Sequence, residues 1–311
     1  MRKFLQNKEI KNFITISIFG LLFGFIFAVS SYFFNPKYKT TILLEPVQTE
    51  SITSQISSLT GSLGSIGQLA GFDFSSLGAN ERDLTDLAMA SVVSRNFFDK
   101  YLYEMVMVNM FAVDYYDPNS KKIIIDSKDY DVELNEWVPK ALPRFIANIR
   151  NKKYDPKPSF EVSHKIFYKK YFSIDEDLKT GFVTININHE SPVIAKEWAE
   201  YIYLSINEFL RSEDSLKYKK IIDLLNDELK KAELESVQEA ISKLIESQTA
   251  SYYLINTSEN YVFKAIELPY EAEKKYFPRR TIFLILGIIF GSFISFLYLY
   301  RQKILTIVLS E

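Results

Sequence analysis

The sequence predicts an α+β membrane protein in which two transmembrane helices flank an α/β base domain with a long extended helix. Three observations predict it. Residues 13–34 and 281–300 are runs of 22 and 20 residues without a charge, one near each end of the chain. A bilayer's hydrocarbon core takes about 20 apolar residues as a helix, so both runs qualify. Between them, residues 191–250 hold one proline, Pro192, and no glycine, and their apolar residues recur at helical spacing. The remaining stretch mixes short β-favouring runs with helical patterns and Asp/Asn/Gly turns.

Taken in order, residues 1–12 carry Arg2, Lys3, Lys8 and Lys11 and are expected to stay in the cytoplasm. The first run (13–34) is too long for a signal-peptide core, and Phe33 and Phe34 continue it past the small residues Ala28 and Ser30, so retention as a membrane helix is expected. Arg301 and Lys303 follow the second run (281–300), which places the tail 301–311 in the cytoplasm too. Residues 35–280 then lie outside the cytoplasm. Lys274, Lys275, Arg279 and Arg280 oppose that orientation, but they end a long translocated region, and such regions largely escape the rule.

Outside the spans, residues 35–50, 80–190 and 261–278 read as the α/β base, and 51–79 as a flexible Gly/Ser loop holding five of the ten glycines. Lys39–Leu44 is a strand closed by Pro46. Asn80–Met110 has a helical period through Leu84, Leu87, Ala88, Val92, Phe97, Tyr101 and Met105. Lys122–Asp126 is a short strand after the turn at Asp117-Pro118-Asn119, and Val138–Ile149 a helix limited by Pro139 and Pro143. Phe160–Ile174 and Phe182–Asn188 flank an acidic turn, Asp175 to Gly181, as a hairpin. Ser191 caps the long helix with Pro192 at its first position, and an unbroken helix over 191–250 would run roughly 85 Å. Tyr261–Leu268 returns as a strand.

Chemistry-bearing patterns are sparse. The formal charge of −2 and pI near 5.9 give no electrostatic case for nucleic acid. There is no cysteine, which removes disulfides, thiolate metal sites and a Cys nucleophile. His164 and His189 are the only histidines, in no metal-ligand motif. Asp175, Glu176 and Asp177 are read as turn formers rather than a general acid and base. The Gly61, Gly64, Gly67 spacing lacks the Lys-Ser/Thr of a phosphate loop. No catalytic residue, metal or cofactor is expected.

Two patterns do point to association. Gly20 and Gly24 in the first span, and Gly287 and Gly291 in the second, are each four apart, on one helix face, where they let another helix approach closely. On the long helix Trp198, Tyr201, Ile202, Ile221, Leu225 and Leu229 are candidate oligomer contacts. Apolar residues beyond one stripe, among them Tyr203, Leu204, Ile206, Leu210, Ile222, Leu224 and Leu234, widen the expected contact area.

Asn35-Pro36-Lys37-Tyr38 stands before the Thr40–Leu44 strand, Gly181 to Ile185 runs through Ser191-Pro192 and Ala195 to Asn207, and Ile266-Glu267-Leu268-Pro269 and Tyr276-Phe277-Pro278-Arg279-Arg280 lead into the second span. Together these segments resemble the Wzz-type chain-length determinants, the polysaccharide co-polymerases. The likeness extends over essentially the whole chain, though with fewer prolines in that last segment. It implies an inner-membrane protein with a periplasmic α/β base and long helix, assembled as a ring-like homo-oligomer. Such a protein would set the modal length of a surface polysaccharide made by a membrane polymerase on a polyprenyl-pyrophosphate carrier, without catalysis. Its partners would be copies of itself, that polymerase, lipid-linked glycan and membrane lipid. A capsule polysaccharide export component and a two-helix sensor ectodomain stay open. A transporter ATPase partner would mark the first, and a cytoplasmic signalling domain the second. A glycan-cleaving enzyme would need a cleft with paired carboxylates.

Overall fold

A computed structural model describes residues 8–47, 84–151 and 153–308. The expected Gly/Ser loop at 51–79 and the Asn80 cap lie outside the described residues. The chain divides into two compact units, one of residues 1–39, 189–192 and 272–311, the other of 40–188 and 193–271.

In the first unit, α1 (Lys8–Ser30) and α9 (Arg280–Val308) are each long and apolar enough to cross a membrane. A short 3₁₀ turn, Ser31–Phe33, ends α1. Beyond it, Lys37 and Tyr38, the first residues of β1 (Lys37–Pro46), pair with β9 (Lys275–Phe277). The bond between Phe277 and Pro278 is cis.

The second unit is built on the sheet β6-β7-β1-β8, with β6 (Phe172–Glu176), β7 (Val183–His189) and β8 (Phe263–Glu267). β1 alternates strictly, burying Thr40, Ile42 and Leu44, as the pleat of a strand covered on one face requires. Its far end pairs antiparallel with β8, Pro46 opposite Phe263. β6 and β7 form a hairpin with Phe172 opposite Ile187. Gly181 stands at φ 70°, which the turn needs and most side chains resist.

Helices cover this sheet: α2 (Leu84–Val92), a single turn α3 (Arg95–Phe97), and α4 (Tyr103–Phe111), with a π-helical turn at Phe98–Leu102. One continuous helix was expected here. The chain instead breaks at Ser94, whose Oγ accepts the Phe97 N–H at 3.2 Å, capping a new helix start. The break and the π turn shift the buried phase by one residue. Phe98, Leu102, Val106 and Met110 face the core, and the expected Tyr101 and Met105 are only half-buried.

β2 (Val113–Asp117) pairs with β3 (Lys122–Ile125), supplying the partner that the sequence reading left out. β4 (Tyr130–Asp131) pairs with β5 (Glu136–Trp137), and α5 (Ala141–Ile149) follows. The first arm of the expected 160–174 hairpin is mostly helical: α6 (Phe160–Ile166) and a second π turn (Phe167–Tyr171) precede the strand. Aromatic packing overrides the strand reading, since Phe98 and Phe167 are fully buried with ring centroids 5.6 Å apart.

The long helix is the main correction. α7 spans Pro192–Lys231, 40 residues or about 60 Å, and the chain then turns at 232–234 and folds back as α8 (Glu235–Thr257). No glycine or proline marks the break. Lys230 and Lys231 in the last turn of α7 and Glu235 in the first turn of α8 each suit the helix end they occupy. Gln238 Nε2 donates to the Ala232 carbonyl at 2.7 Å, satisfying a helix-end acceptor.

Candidate functional site

The four glycines of the spans lie in the contact between the two helices, where Gly24 and Gly287 meet. α1 and α9 run antiparallel, so that a Cβ on Gly24 would lie 2.6 Å from the Ile288 side chain. On Gly287 a Cβ would lie 2.6 Å from the Phe23 carbonyl oxygen and 2.8 Å from Gly24 Cα. On Gly291 it would lie 2.7 Å from the Phe19 carbonyl oxygen, and on Gly20 it would run into Ser292 Oγ. Backbone cannot give way as a flexible side chain can, so Gly287 and Gly291 resist replacement most; at Gly20 and Gly24 the nearest obstacles are side chains, with backbone carbonyls at 3.2 Å. Phe23 and Phe27 pack on Phe290 at 6.2 and 5.8 Å between centroids. The other faces carry Leu21, Phe25, Ile289 and Phe293, all exposed. A helix pair that packs by backbone approach and turns its large apolar side chains outward is built for lipid.

Cationic and aromatic side chains pair near the ends of these helices. Arg280 sits over the Tyr32 ring at 4.1 Å, Arg279 over Tyr276 at 5.1 Å, and Arg301 over Tyr298 at 5.1 Å. Tyrosine and arginine together suit the headgroup layer. In the same unit His189 is fully buried, its Nδ1 accepting the Ser191 N–H at 3.0 Å just ahead of Pro192. Glu190 pairs with Lys37 at 3.5 Å. His189 thus braces the strand-to-helix junction.

In the second unit, five of the six oligomer-contact candidates are taken up inside the chain. Trp198 and Ile202 lie in the main core, at 2% and 0% exposure. Leu225 packs with Ala240, Ile241 and Leu244 of α8, with Ile221 and Leu229 alongside. Among the six only Tyr201 is exposed, at 39%. Tyr203, Ile206 and Leu210 are buried as well, while Leu204, Leu224 and Leu234 stay exposed. The returning α8 thus covers Ile221, Leu225 and Leu229, and Trp198 packs on Phe167 and Tyr171.

What fastens α7 to the returning chain is a polar ladder that the sequence reading missed. Tyr203, Asn207, Arg211 and Ser215 stand four apart, hence on one slowly turning face. Tyr203 donates to Asn260 Oδ1 at 2.8 Å, and Ser215 to Asn256 Oδ1 at 3.0 Å. Arg211 Nη2 donates to the carbonyls of Ser258 at 2.7 Å and Glu259 at 3.1 Å. Buried Asn207 does most. Its Oδ1 accepts the N–H groups of Tyr261, Val262 and Phe263 at 3.2, 2.8 and 3.0 Å, and its Nδ2 donates to the Phe263 carbonyl at 3.0 Å. Tyr261 in turn donates to Asp214 Oδ2 at 2.5 Å; burial, then that bond, pushes its phenol well above the ordinary range. The repeat of polar residues at i, i+4, i+8 and i+12 was the signal available in the sequence.

The remaining singled-out positions are spread along the chain rather than gathered. Pro36 and Pro278 are half-buried and Tyr38 is buried in the first unit, where Pro192 opens α7. Gly181 sits in the hairpin turn, and Ala195 and Pro269 are buried in the second unit. Asp177 acts as a turn former, its Oδ1 accepting the Lys179 N–H at 2.9 Å. His164 Nε2 lies 3.2 Å from the Val93 carbonyl, with its ring against Phe98 and Tyr168. Among the described residues no three His, Asp or Glu side chains are grouped to hold a metal.

The chain is similar to solved polysaccharide co-polymerases. One is a full-length bacterial polysaccharide co-polymerase, 12% identical, covering 94% of this chain and 94% of that one at a TM-score of 0.32. Another is a fragment of WzzB, the polysaccharide co-polymerase from Salmonella Typhimurium, 13% identical, covering 78% of this chain and all of that fragment at a TM-score of 0.30. No family model and no curated protein matches.

Proposed function

We propose that this chain is a non-catalytic polysaccharide co-polymerase, which regulates the modal length of a surface polysaccharide such as O-antigen or a related glycan. In this reading a membrane polymerase builds the glycan on a polyprenyl-pyrophosphate carrier. The chain sits in a bacterial inner membrane with its ends in the cytoplasm and residues 35–280 in the periplasm.

One observation carries the proposal: the layout. Two apolar helices from the two ends of the chain pack on each other through Gly20, Gly24, Gly287 and Gly291. The sequence between them folds as an α/β sheet unit with a 40-residue helix. Among the described residues, Asn207, Arg211 and Asp214 are spent on fastening that helix to the returning chain. Such a body acts by binding and positioning. Exposed Tyr201, Leu204, Leu216 and Leu224 on α7 support side-by-side assembly with copies of itself, since packing among the described residues leaves them uncovered.

Deleting the gene tests the reading. The surface polysaccharide should lose its preferred length on a gel while synthesis continues. A length ladder identical to the parent's would overturn it.

A further inference from the structure

Residues 137–154 hold five basic side chains, Lys140, Arg144, Arg150, Lys152 and Lys153, and no acidic one. Within them α5 places Leu142, Phe145, Ile146 and Ile149 at i, i+3, i+4 and i+7, one narrow face of a helix. In a globular protein such a face is normally buried. Here it is bare: the four side chains are 69%, 62%, 41% and 70% exposed, and no residue of α5 is buried.

The charges are placed to match. Arg144 lies on the side away from that face, and Arg150 and Lys153 line the groove beside the helix, with Lys157 and one carboxylate, Asp155. None of Arg144, Arg150 and Lys153 has an ion-pair partner among the described residues, whereas Lys140 is tied to Asp129 at 2.5 Å. The Lys140 N–H also donates to Tyr154 Oη at 3.1 Å, so the start of the helix is pinned while its apolar face is not.

We propose that the apolar face of α5 rests on an anionic lipid surface, with Arg144, Arg150 and Lys153 against the headgroup phosphates. A short helix with a compact apolar face, no acidic residue of its own and a mainly basic surround is the pattern of an interfacial helix. A second copy presenting the same helix would set like charges against one another, so charge complementarity favours the lipid. This contact is independent of what the chain does to a glycan.

The chain has no cysteine, so single reporters are clean. Full-length Leu142→Cys and Ile149→Cys variants, labelled with a polarity-sensitive fluorophore, are reconstituted in phosphatidylcholine vesicles containing an acyl-chain quencher, with and without phosphatidylglycerol. Asn148→Cys, off the apolar face, is the control. Quenching at 142 and 149 should exceed that at 148 by about threefold when phosphatidylglycerol is present. It should fall on adding about 0.5 M salt, as screening weakens the headgroup attraction. Adding Arg144→Glu with Arg150→Glu to the Ile149→Cys variant should return quenching to the level seen without phosphatidylglycerol.

Equal quenching at all three positions, or quenching indifferent to anionic lipid, would overturn the proposal. So would energy transfer between labels on different copies at 149 in place of quenching, which would make the face a contact between chains.

Discussion

Two antiparallel helix pairs in this chain solve opposite problems. α1 and α9 approach until backbone meets backbone, with four glycines at the contact and large apolar side chains turned outward. α7 and α8 hide their apolar side chains between them, around Leu225, Ala240, Ile241 and Leu244, and the polar ladder from Tyr203 to Ser215 ties α7 to residues 256–263, the end of α8 and the chain after it. The difference follows from the solvent. In water, burying apolar surface drives helices together and polar atoms left behind must find partners. In lipid that drive is absent, so close packing has to supply the contact. An apolar residue therefore carries different information in the two pairs, and its neighbours decide which.

The largest effect should come from the polar ladder. Asn207→Leu leaves three buried N–H groups of Tyr261 to Phe263 without their acceptor, a loss on the order of 4 kcal/mol. Both tryptophans, Trp137 and Trp198, lie in the second unit, so unfolding of the purified chain followed by their fluorescence should show it. An unchanged midpoint would remove the ladder from the account of α7.

Gly287→Leu should act on the other pair alone. It drives a side chain into the Phe23 carbonyl and the Gly24 backbone, costing about 2 kcal/mol. Disulfide formation between cysteines placed at Phe27 and Phe290 should slow, while the tryptophan-reported midpoint stays where it was. If both readouts moved together, the two pairs would not be separable.

A smaller effect separates them by pH. Tyr261 lies above its ordinary value of 10.0 in the folded chain, so the protonated phenol is favoured by folding. Its contribution is complete below about pH 10 and is lost as pH rises toward the raised folded value. Tyr261→Phe should cost about 1 kcal/mol at neutral pH through the Asp214 bond and flatten the alkaline fall in stability. An alkaline profile identical to that of the parent would contradict this.

The smallest effect lies at the turn between α7 and α8. Gln238→Ala removes the bond to the Ala232 carbonyl and should cost under about 1 kcal/mol, seen as faster amide exchange confined to the hairpin tip.

These contrasts also mark what could be read from the sequence. Two charge-free runs at the ends, the alternation of β1 and the passage from β7 into Pro192 follow from periodicity and turn chemistry alone, and the structure places α1, β1, β7, α7 and α9 there. The fold-back at 232–234 could not be seen by looking for glycine or proline. Its marks were electrostatic, with Lys230 and Lys231 closing one helix and Glu235 opening the next. The helical period from 84 to 110 changes phase at Ser94, where a side-chain cap outweighs continuity. On the side of function, glycines four apart flag a face that can be approached, but only the fold shows that α1 and α9 approach each other. Trp198, Ile202 and Leu225 fit an intermolecular seam and an intramolecular core equally well by spacing; the main core takes in Trp198, against Phe167 and Tyr171, and Ile202, and α8 covers Leu225.

The measurement that tests the central claim most directly is glycan output against dose. The chain would be supplied back at graded levels to a strain lacking it, and the mass and length distribution of the surface polysaccharide measured together. A regulator that binds and positions without catalysis should move the modal length to its preferred value while total sugar stays flat. Total sugar rising in proportion to the chain, with no change in the length distribution, would contradict the account.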